Sequence, residues 1–152
     1  MEAGACLFSA AAGVDSRLMY TGGCLCGQLR YEARGEPREQ GYCCCADCRK
    51  ASGSAFVPFL NFPPDSVRFS GRMTHSVVKS FRGPDAVRNR CALCGSLVFG
   101  GPVGRAEFHT LYAGSLDDPS LFRPTIAIFT RDRPQWAVLP PGLEAFETLP
   151  GV

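Results

Sequence analysis

The alternation of apolar and polar positions predicts a protein built mainly from short β-strands. Residues Gln28 to Ala33 alternate polar and apolar side chains, which is typical of a strand with one buried face. Further short apolar segments recur between turns, and these are 56–62, 67–69, 76–81, 87–90, 97–99, 108–113 and 125–129. The 17 glycines and 12 prolines also favour many strands joined by turns. One short helical turn is predicted, from Ala46 to Ser52.

The first 20 residues differ from the rest of the chain. They are rich in Ala, Gly and Ser and have no strong periodicity, so we expect a flexible N-terminal extension over 1–20 and a single domain over 21–152. The apolar run from Ala5 to Ala12 has no basic residue before it, which does not favour a signal peptide. No segment approaches the length of a transmembrane helix. We therefore expect a cytoplasmic protein whose thiols are kept reduced.

The length and net charge of the chain limit the functions and partners that can be expected of it. The chain has 152 residues, which is about the size of one domain. Its hydrophobic fraction of 45% and charged fraction of 20% are ordinary for a soluble globular protein. The net charge is only +2 and the basic residues are scattered, so neither nucleic acid nor an acidic membrane surface is an expected partner.

Eight of the nine cysteines fall into three clusters, and seven of these eight have the spacing of metal ligands. The odd number, the clustering and the absence of an export signal argue against a disulfide framework. The outer clusters, Cys24-x-Cys26 and Cys91-x-x-Cys94, together offer the four thiolates that a tetrahedral structural zinc site needs. An ion shared by pairs this far apart would close a long loop and stabilise the fold. The alternative is that these residues are buried free cysteines.

The middle cluster offers three regularly spaced thiolates, from Cys43, Cys45 and Cys48. Three protein ligands leave the fourth position of zinc for water or substrate, as in a catalytic site. Cys44 would close the site if it supplied the fourth ligand, but adjacent side chains usually point apart. A second purely structural zinc is the main alternative, and an iron–sulfur cluster is a weaker one because its usual spacings are absent.

Other residues carry weaker signals. Arg49 and Lys50 follow the middle cluster and are candidates to meet an anionic substrate, with a solvated surface as the alternative. His75 and His109 are far from the cysteines in sequence and are predicted to be structural rather than metal ligands. Trp136 is predicted to pack in the core.

A set of motifs follows in order along the chain. They are Gly22-Gly23-Cys24-Leu25-Cys26-Gly27, Cys43-x-Cys45-x-x-Cys48-Arg49-Lys50-x-Ser52-Gly53-Ser54-x-Phe56, Cys91-x-x-Cys94-Gly95 and Gly114-Ser115-Leu116-Asp117-Asp118-Pro119. Together they resemble the glutathione-dependent formaldehyde-activating enzyme family, or Gfa-like family. The resemblance extends from about Gly22 to Leu143. Family members often have His where this chain has Cys44.

The resemblance implies a fold of several coiled sheets of short strands around zinc, the Mss4-like or β-tent architecture. It also implies two zinc ions, a structural one held by Cys24, Cys26, Cys91 and Cys94 and a catalytic one held by Cys43, Cys45 and Cys48. The implied activity is a carbon–sulfur lyase reaction that joins glutathione and formaldehyde reversibly into S-hydroxymethylglutathione.

The implied chemistry agrees with the residues. A thiol at an open zinc position loses its proton readily, and the resulting thiolate is a nucleophile for the formaldehyde carbon. Two alternatives remain at this point. One is a zinc-stabilised binding module without catalysis, although the chain lacks the basic or proline-rich extensions that accompany that role. The other is a carbon–sulfur lyase that acts on another small thiol adduct.

Overall fold

The computed structural model describes residues 17–151, and within this range it contains eleven β-strands and one α-helix, α1 (Ala46–Ser52). In chain order the strands are β1 (Met19–Gly23), β2 (Arg30–Arg34), β3 (Glu39–Cys43), β4 (Val57–Phe62), β5 (Val67–Ser70), β6 (Met73–Lys79), β7 (Asp85–Cys91), β8 (Leu97–Gly100), β9 (His109–Tyr112), β10 (Ile126–Ile128) and β11 (Glu144–Ala145). Short 3₁₀ helices lie at Pro64–Ser66, Ala113–Ser115, Pro119–Leu121 and Thr130–Asp132. The prediction of a mainly β fold is confirmed.

The strands form two sheets. The small sheet has the order β1-β2-β5, and the large sheet has the order β11-β10-β3-β4-β9-β8-β7-β6. All neighbours are antiparallel except at one end of the large sheet, where β10 runs parallel to both β3 and β11. An isolated bridge between Gly22 and Leu116 links the small sheet to the segment after β9. These connections bring the loop after β1 close to residues that are distant in sequence.

The main core lies between the two sheets. From the small sheet, Tyr20 and Tyr31 are almost fully buried, and from the large sheet Phe62 and Phe99 are fully buried. The rings of Tyr20 and Phe62 meet edge to face with centroids 5.1 Å apart. Burial of each such side chain is worth about 1.5–3 kcal/mol. The packing of these rings therefore holds the two sheets together.

Strand β4 is buried on both faces because it lies near the middle of the large sheet. Its alternate residues Leu60 and Phe62 belong to the main core, while Phe59 points to a second, smaller core. That second core also contains Cys43 and Cys45. The middle cysteine cluster is thus built into an apolar cluster on the opposite face of β4 from the main core.

Two expectations from the sequence need correction. Met19 and Tyr20 fall within the predicted extension, yet both belong to β1, and Tyr20 fills the core. The extension up to residue 16 lies outside the described residues, so the division itself stays a prediction. Trp136 does not pack in the core: 76% of its surface is exposed, while Ala137 beside it is buried.

Candidate metal centres

Four cysteines from two separate turns meet at one point. Cys24 and Cys26 lie in the loop after β1, while Cys91 ends β7 and Cys94 lies in the turn that follows. Their Sγ atoms all lie within 4.8 Å of one another, with 3.6 Å between Cys24 and Cys26 and 3.7 Å between Cys26 and Cys91. Tetrahedral zinc–sulfur bonds of about 2.3 Å would separate sulfurs by about 3.8 Å. The predicted outer set is therefore brought together, and its donor atoms fit a four-coordinate ion.

A glycine follows each pair of outer cysteines and allows the turn. Gly27 has a φ of +77° and Gly95 a φ of +74°, a region that side chains other than glycine rarely adopt. The N–H of Gly27 donates to the carbonyl of Cys24, and that of Gly95 to the carbonyl of Cys91, each at 3.1 Å. Both turns therefore direct their sulfurs inward with the same two features, a glycine of positive φ and its N–H hydrogen bond to a cysteine carbonyl.

Backbone N–H groups also donate to the outer sulfurs. Leu29 donates to Sγ of Cys24 at 3.1 Å, and Leu93 and Cys94 donate to Sγ of Cys91 at 3.3 and 3.5 Å. These dipoles offset the negative charge that four thiolates bring together. The outer cluster is thus prepared for four ionised sulfurs.

The middle cluster brings together Cys43, Cys45 and Cys48, whose Sγ atoms also lie within 4.8 Å of one another. Cys43 is the last residue of β3, Cys45 is the N-cap of α1, and Cys48 lies in that helix. Sγ of Cys45 accepts the N–H of Cys48 at 3.3 Å, which satisfies one of the free donors at the start of the helix. Helix α1 has the bounds predicted from the sequence, and its capping fixes the three sulfurs relative to one another.

Cys44 does not belong to this group. Its side chain is fully buried, and its backbone N–H donates to the carbonyl of Ile128 on β10 at 3.0 Å. Within residues 17–151, no fourth Cys, His, Asp or Glu joins the three sulfurs. The middle set therefore has three protein ligands, in contrast to the closed outer set of four.

The middle cluster lies beside positive charge that the sequence did not indicate. Arg88 on β7 is 8% exposed and lies beside Cys48 and the Tyr112 hydroxyl. Burial alone would lower the pKa of Arg88, but its interactions with Tyr112 and Cys48 outweigh burial and the pKa is raised. The guanidinium therefore stays charged and offsets part of the charge of the thiolates.

The three middle sulfurs are close enough to shift one another's pKa. The thiols of Cys43 and Cys48 donate to Cys45 and lower its pKa, while the same interactions raise the pKa of Cys43. Cys45 is therefore the first of the three thiols to lose its proton as the pH rises. A cluster that favours an anionic sulfur beside further thiols is a suitable site for a soft cation.

Tyr112 was also missed by the sequence analysis. It ends β9 and has its pKa raised, first by burial and then by the negative charge of Cys48. Its hydroxyl therefore keeps its proton at neutral pH. Both Tyr112 and Arg88 reach the cluster through strand pairing across the large sheet. A usable signal was the sequence Arg88-Asn89-Arg90 directly before Cys91, because two arginines at a period of two share one face of a strand.

The proposed substrate contacts occupy different positions on α1. Arg49 is partly buried, and its buried Nε–H has no hydrogen-bond partner among the described residues. Lys50 is exposed near the end of the helix. Asp47, on the same helix, accepts hydrogen bonds from the Ser80 hydroxyl at 2.9 Å and from the Phe81 N–H at 3.2 Å. These two bonds hold the segment after β6 against the start of α1.

Two cavities flank the middle cluster. The smaller has a volume of about 260 Å³ and includes Arg82, Arg131 and Phe129, a residue that packs against Cys43 and Cys45. The larger is a groove of about 660 Å³ that extends from the outer cluster, past Tyr112, to the end of α1. Small-molecule sites usually have volumes of about 300–1,000 Å³, so the groove has the size of such a site.

The histidines lie apart from both clusters. His109 is 1% exposed and packs edge-on against the rings of Phe69 and Phe99. His75 is exposed on β6. Among the described residues, neither histidine joins a group of potential metal ligands, and their structural role stays a prediction.

The comparison with known families decides the family. A family model described as glutathione-dependent formaldehyde-activating enzyme matches residues 19–132, well over half of the chain. The chain belongs to this family. The match includes all seven cysteines of the two metal-binding groups and begins at the first residue of β1. A comparison with curated proteins found no match.

Membership of the Gfa family agrees with the architecture described above. The mainly β structure in several sheets, with cysteine clusters able to hold metal, is consistent with the Mss4-like fold. Each of the two cysteine clusters can bind one metal ion, as expected for a zinc protein of this family. None of the described helices is long and apolar enough to cross a membrane.

Proposed function

We propose that the protein is a zinc-dependent carbon–sulfur lyase that joins glutathione, or another small thiol, with formaldehyde to give S-hydroxymethylglutathione or its analogue. The observation that carries this proposal is the middle set of three cysteine sulfurs without a fourth protein ligand among the described residues. Cys43, Cys45 and Cys48 would hold the catalytic zinc, and Cys24, Cys26, Cys91 and Cys94 the structural zinc. The family description supports the pair of substrates.

The bond changes of this reaction are simple. When bound by the three middle thiolates, zinc lowers the pKa of a substrate thiol and so increases its thiolate fraction. The substrate sulfur forms a bond to the formaldehyde carbon, the carbonyl π bond breaks, and the oxygen takes up a proton. No side-chain nucleophile is required.

The residues around the middle cluster would offset negative charge and donate hydrogen bonds to the reacting groups. Arg88 offsets negative charge beside Cys48, where a fourth sulfur would otherwise be repelled. Tyr112 keeps its hydroxyl proton at neutral pH and can donate a hydrogen bond to an oxygen that develops negative charge. Arg49 and Lys50, which follow the cluster on α1, are proposed to meet a carboxylate of the thiol substrate.

The proposed setting is the cytoplasm, where glutathione is available and thiols stay reduced. All eight cysteines of the described range are free, and seven of them belong to the two metal-binding groups. This arrangement supports metal binding rather than a disulfide framework. No macromolecular partner is needed for the proposed reaction.

The direct test is turnover by zinc-loaded protein with a panel of thiols and aldehydes. We expect loss of formaldehyde at a rate that depends on protein and on glutathione, with smaller rates for the other thiols. Protein loaded with one equivalent of zinc, enough for the outer site alone, is the matched control. If the fully loaded protein is inactive with every pair, catalysis is excluded and the zinc-stabilised binding module is the correct account.

A further inference from the structure

The outer cluster is the more accessible of the two groups of sulfurs. Cys26 and Cys94 are exposed, and so are the residues at the tips of the two turns, Leu25 at 92% and Leu93 at 74%. In the middle cluster two of the three cysteines are buried and the third is half-buried. A small oxidant in solution therefore reaches the outer sulfurs first.

The exposed Cys26 touches sulfurs on both turns. Its Sγ lies 3.6 Å from that of Cys24 and 3.7 Å from that of Cys91. A disulfide bond is about 2.0 Å long, so either pair needs an approach of only about 1.7 Å. Cys26 lies in a turn outside the strands, whereas Cys91 is the last residue of β7. The turn can supply this movement while the strand stays in place.

Only one of these two contacts depends on the fold. Cys24 and Cys26 are separated by one residue, so they are near each other in the unfolded chain too. Cys26 and Cys91 are 65 residues apart, and they meet because one follows a strand of the small sheet and the other ends a strand of the large sheet. A disulfide between them closes the same long loop as the shared ion, and a longer loop makes a disulfide more stabilising. The native structure therefore favours the bond between Cys26 and Cys91.

We propose that the outer cluster is a redox-responsive site in which hydrogen peroxide joins Cys26 and Cys91 in a disulfide and the metal of that site is lost. The Cys26 thiolate attacks one peroxide oxygen, the O–O bond breaks, and a sulfenic acid forms while the other oxygen leaves as hydroxide. The Cys91 thiolate then attacks this sulfur, the S–S bond forms, and a second hydroxide leaves. Each hydroxide takes up a proton. Two thiolates are thus oxidised by two electrons in all, and the peroxide is reduced to two molecules of water.

The disulfide would replace the ion as the link between the two sheets. Only Cys24 and Cys94 would remain as thiolates, and two ligands hold zinc far more weakly than four. The long loop would nevertheless stay closed, now by a covalent bond. A small thiol would reverse the change by thiol–disulfide exchange and restore the four ligands. The outer cluster would then lose and regain its metal without unfolding of the domain, whether or not the protein turns over a substrate.

The first experiment follows zinc and thiols together. Protein loaded at both metal sites is treated with one equivalent of hydrogen peroxide per chain in the presence of a chromogenic zinc chelator. We expect release of one zinc ion and loss of two thiols per chain, with recovery of the thiols after dithiothreitol. Thiol loss without zinc release, or no reaction at all, would overturn the proposal.

Peptide mapping identifies the bond. Trypsin should place the outer cysteines in peptides 18–30 and 91–105 and the middle ones in peptide 39–49, because arginine precedes each peptide and ends it. After free thiols are blocked, a digest without reductant should contain 18–30 joined to 91–105, and fragmentation should locate the bond between Cys26 and Cys91. A bond within 39–49, within either outer peptide alone, or between another pair of outer cysteines contradicts the proposal.

Two variants check the assignment. Cys44→Ser is the matched control, because Cys44 is a cysteine outside both groups of sulfurs, and it should release zinc and form the bond as the wild type does. Cys26→Ser should give no bond between the two outer peptides, and a bond of equal yield would overturn the proposal. If Cys26→Ser does not fold, the map of the wild type still decides.

A thermal melt tests whether the bond takes the place of the ion. Oxidised and reduced wild-type proteins are both freed of metal with chelator and then melted. The oxidised protein should melt at the higher temperature, because its long loop stays closed, and dithiothreitol should abolish the difference. An oxidised protein that melts no higher than the reduced one would show that the bond does not link the sheets as proposed.

Discussion

At the scale of single residues, three adjacent cysteines divide between two roles. Cys43 and Cys45 point to one group of sulfurs, while the side chain of Cys44 between them is fully buried and outside that group. The alternation of side chains along an extended backbone accounts for the difference. The three adjacent positions therefore provide a matched set for mutation.

Cys45→Ser should remove the metal of the middle cluster and abolish thiol-dependent turnover. The three ligands of the middle cluster lie within six residues of the chain. Loss of the metal should therefore disturb only the region around α1 and leave most of the β structure intact. Elemental analysis, turnover and circular dichroism report these effects. Cys44→Ser is the control and should keep both metals, with a stability loss of about 1–3 kcal/mol from its buried hydroxyl. Two metals in Cys45→Ser would refute this assignment.

The buried imidazole of His109 predicts a pH dependence of stability. Burial lowers the pKa of His109, and a hydrogen bond to Gly100 offsets this only in part. Below about pH 6.5 the unfolded chain takes up a proton that the folded protein resists, so stability falls as the pH decreases through that range. His109→Gln should therefore lose less melting temperature between pH 7.5 and 5.5 than the wild type. His75→Gln, at an exposed position, should behave as the wild type, and equal slopes for all three proteins would contradict the prediction.

At the scale of elements, the sequence predicted those strands whose own pattern is clear. The apolar run that became β4 and the helix Ala46–Ser52 were both found, because the run of apolar side chains and the capping residue Cys45 lie within or beside the segments themselves. Strand β3, Glu39–Cys43, was not predicted. It contains a charge, an amide and a glycine, and it is a strand because it pairs with β4 on one side and β10 on the other.

The candidate sites show the same contrast between features with a local sequence signal and features that depend on strand pairing. The cysteine ligands were predictable because their spacing along the chain is itself the signal. Arg88 and Tyr112 were not, since they approach the site through the pairing of β7, β8 and β9. Trp136 was predicted to lie in the core, whereas the smaller Ala137 beside it occupies the buried position. Contacts between distant strands are the information that one sequence lacks.

An element-level prediction concerns the contact between α1 and the segment after β6. Asp47→Ala removes the acceptor for the Ser80 hydroxyl and the Phe81 N–H. We expect a loss of about 1–3 kcal/mol in unfolding free energy and faster hydrogen exchange of the Phe81 amide. Asp65→Ala, at an exposed position, is the control. Unchanged exchange at Phe81 would show that these bonds do not hold the segment.

At the scale of the whole molecule, the outer cluster joins the two sheets. Cys24 and Cys26 follow β1 of the small sheet, while Cys91 ends β7 of the large sheet and Cys94 lies in the turn after it. Cys26 and Cys91 are 65 residues apart, so a shared ion closes a long loop of the unfolded chain. The metal of this site is therefore expected to contribute to global stability, whereas the metal of the middle site acts locally.

Cys91→Ser should lower the melting temperature strongly or cause aggregation. Three remaining thiolates hold the ion more weakly, and the constraint on the long loop is lost with it. Thermal melts with and without chelator measure the effect, and chelator should destabilise the wild type more than it destabilises Cys91→Ser. Cys45→Ser serves as the comparison, with a smaller shift. An unchanged melting temperature in Cys91→Ser would remove the structural role of the outer site.

The central claim is that a substrate thiol becomes the fourth ligand at the middle cluster. X-ray absorption at the zinc edge, recorded during titration with glutathione, tests it most directly. Before addition, protein with both sites filled should show about 3.5 sulfur ligands per zinc, the mean of four at the outer set and three at the middle set. Saturation with glutathione should raise the mean to about four. A sulfur count that does not change with added glutathione would contradict the account.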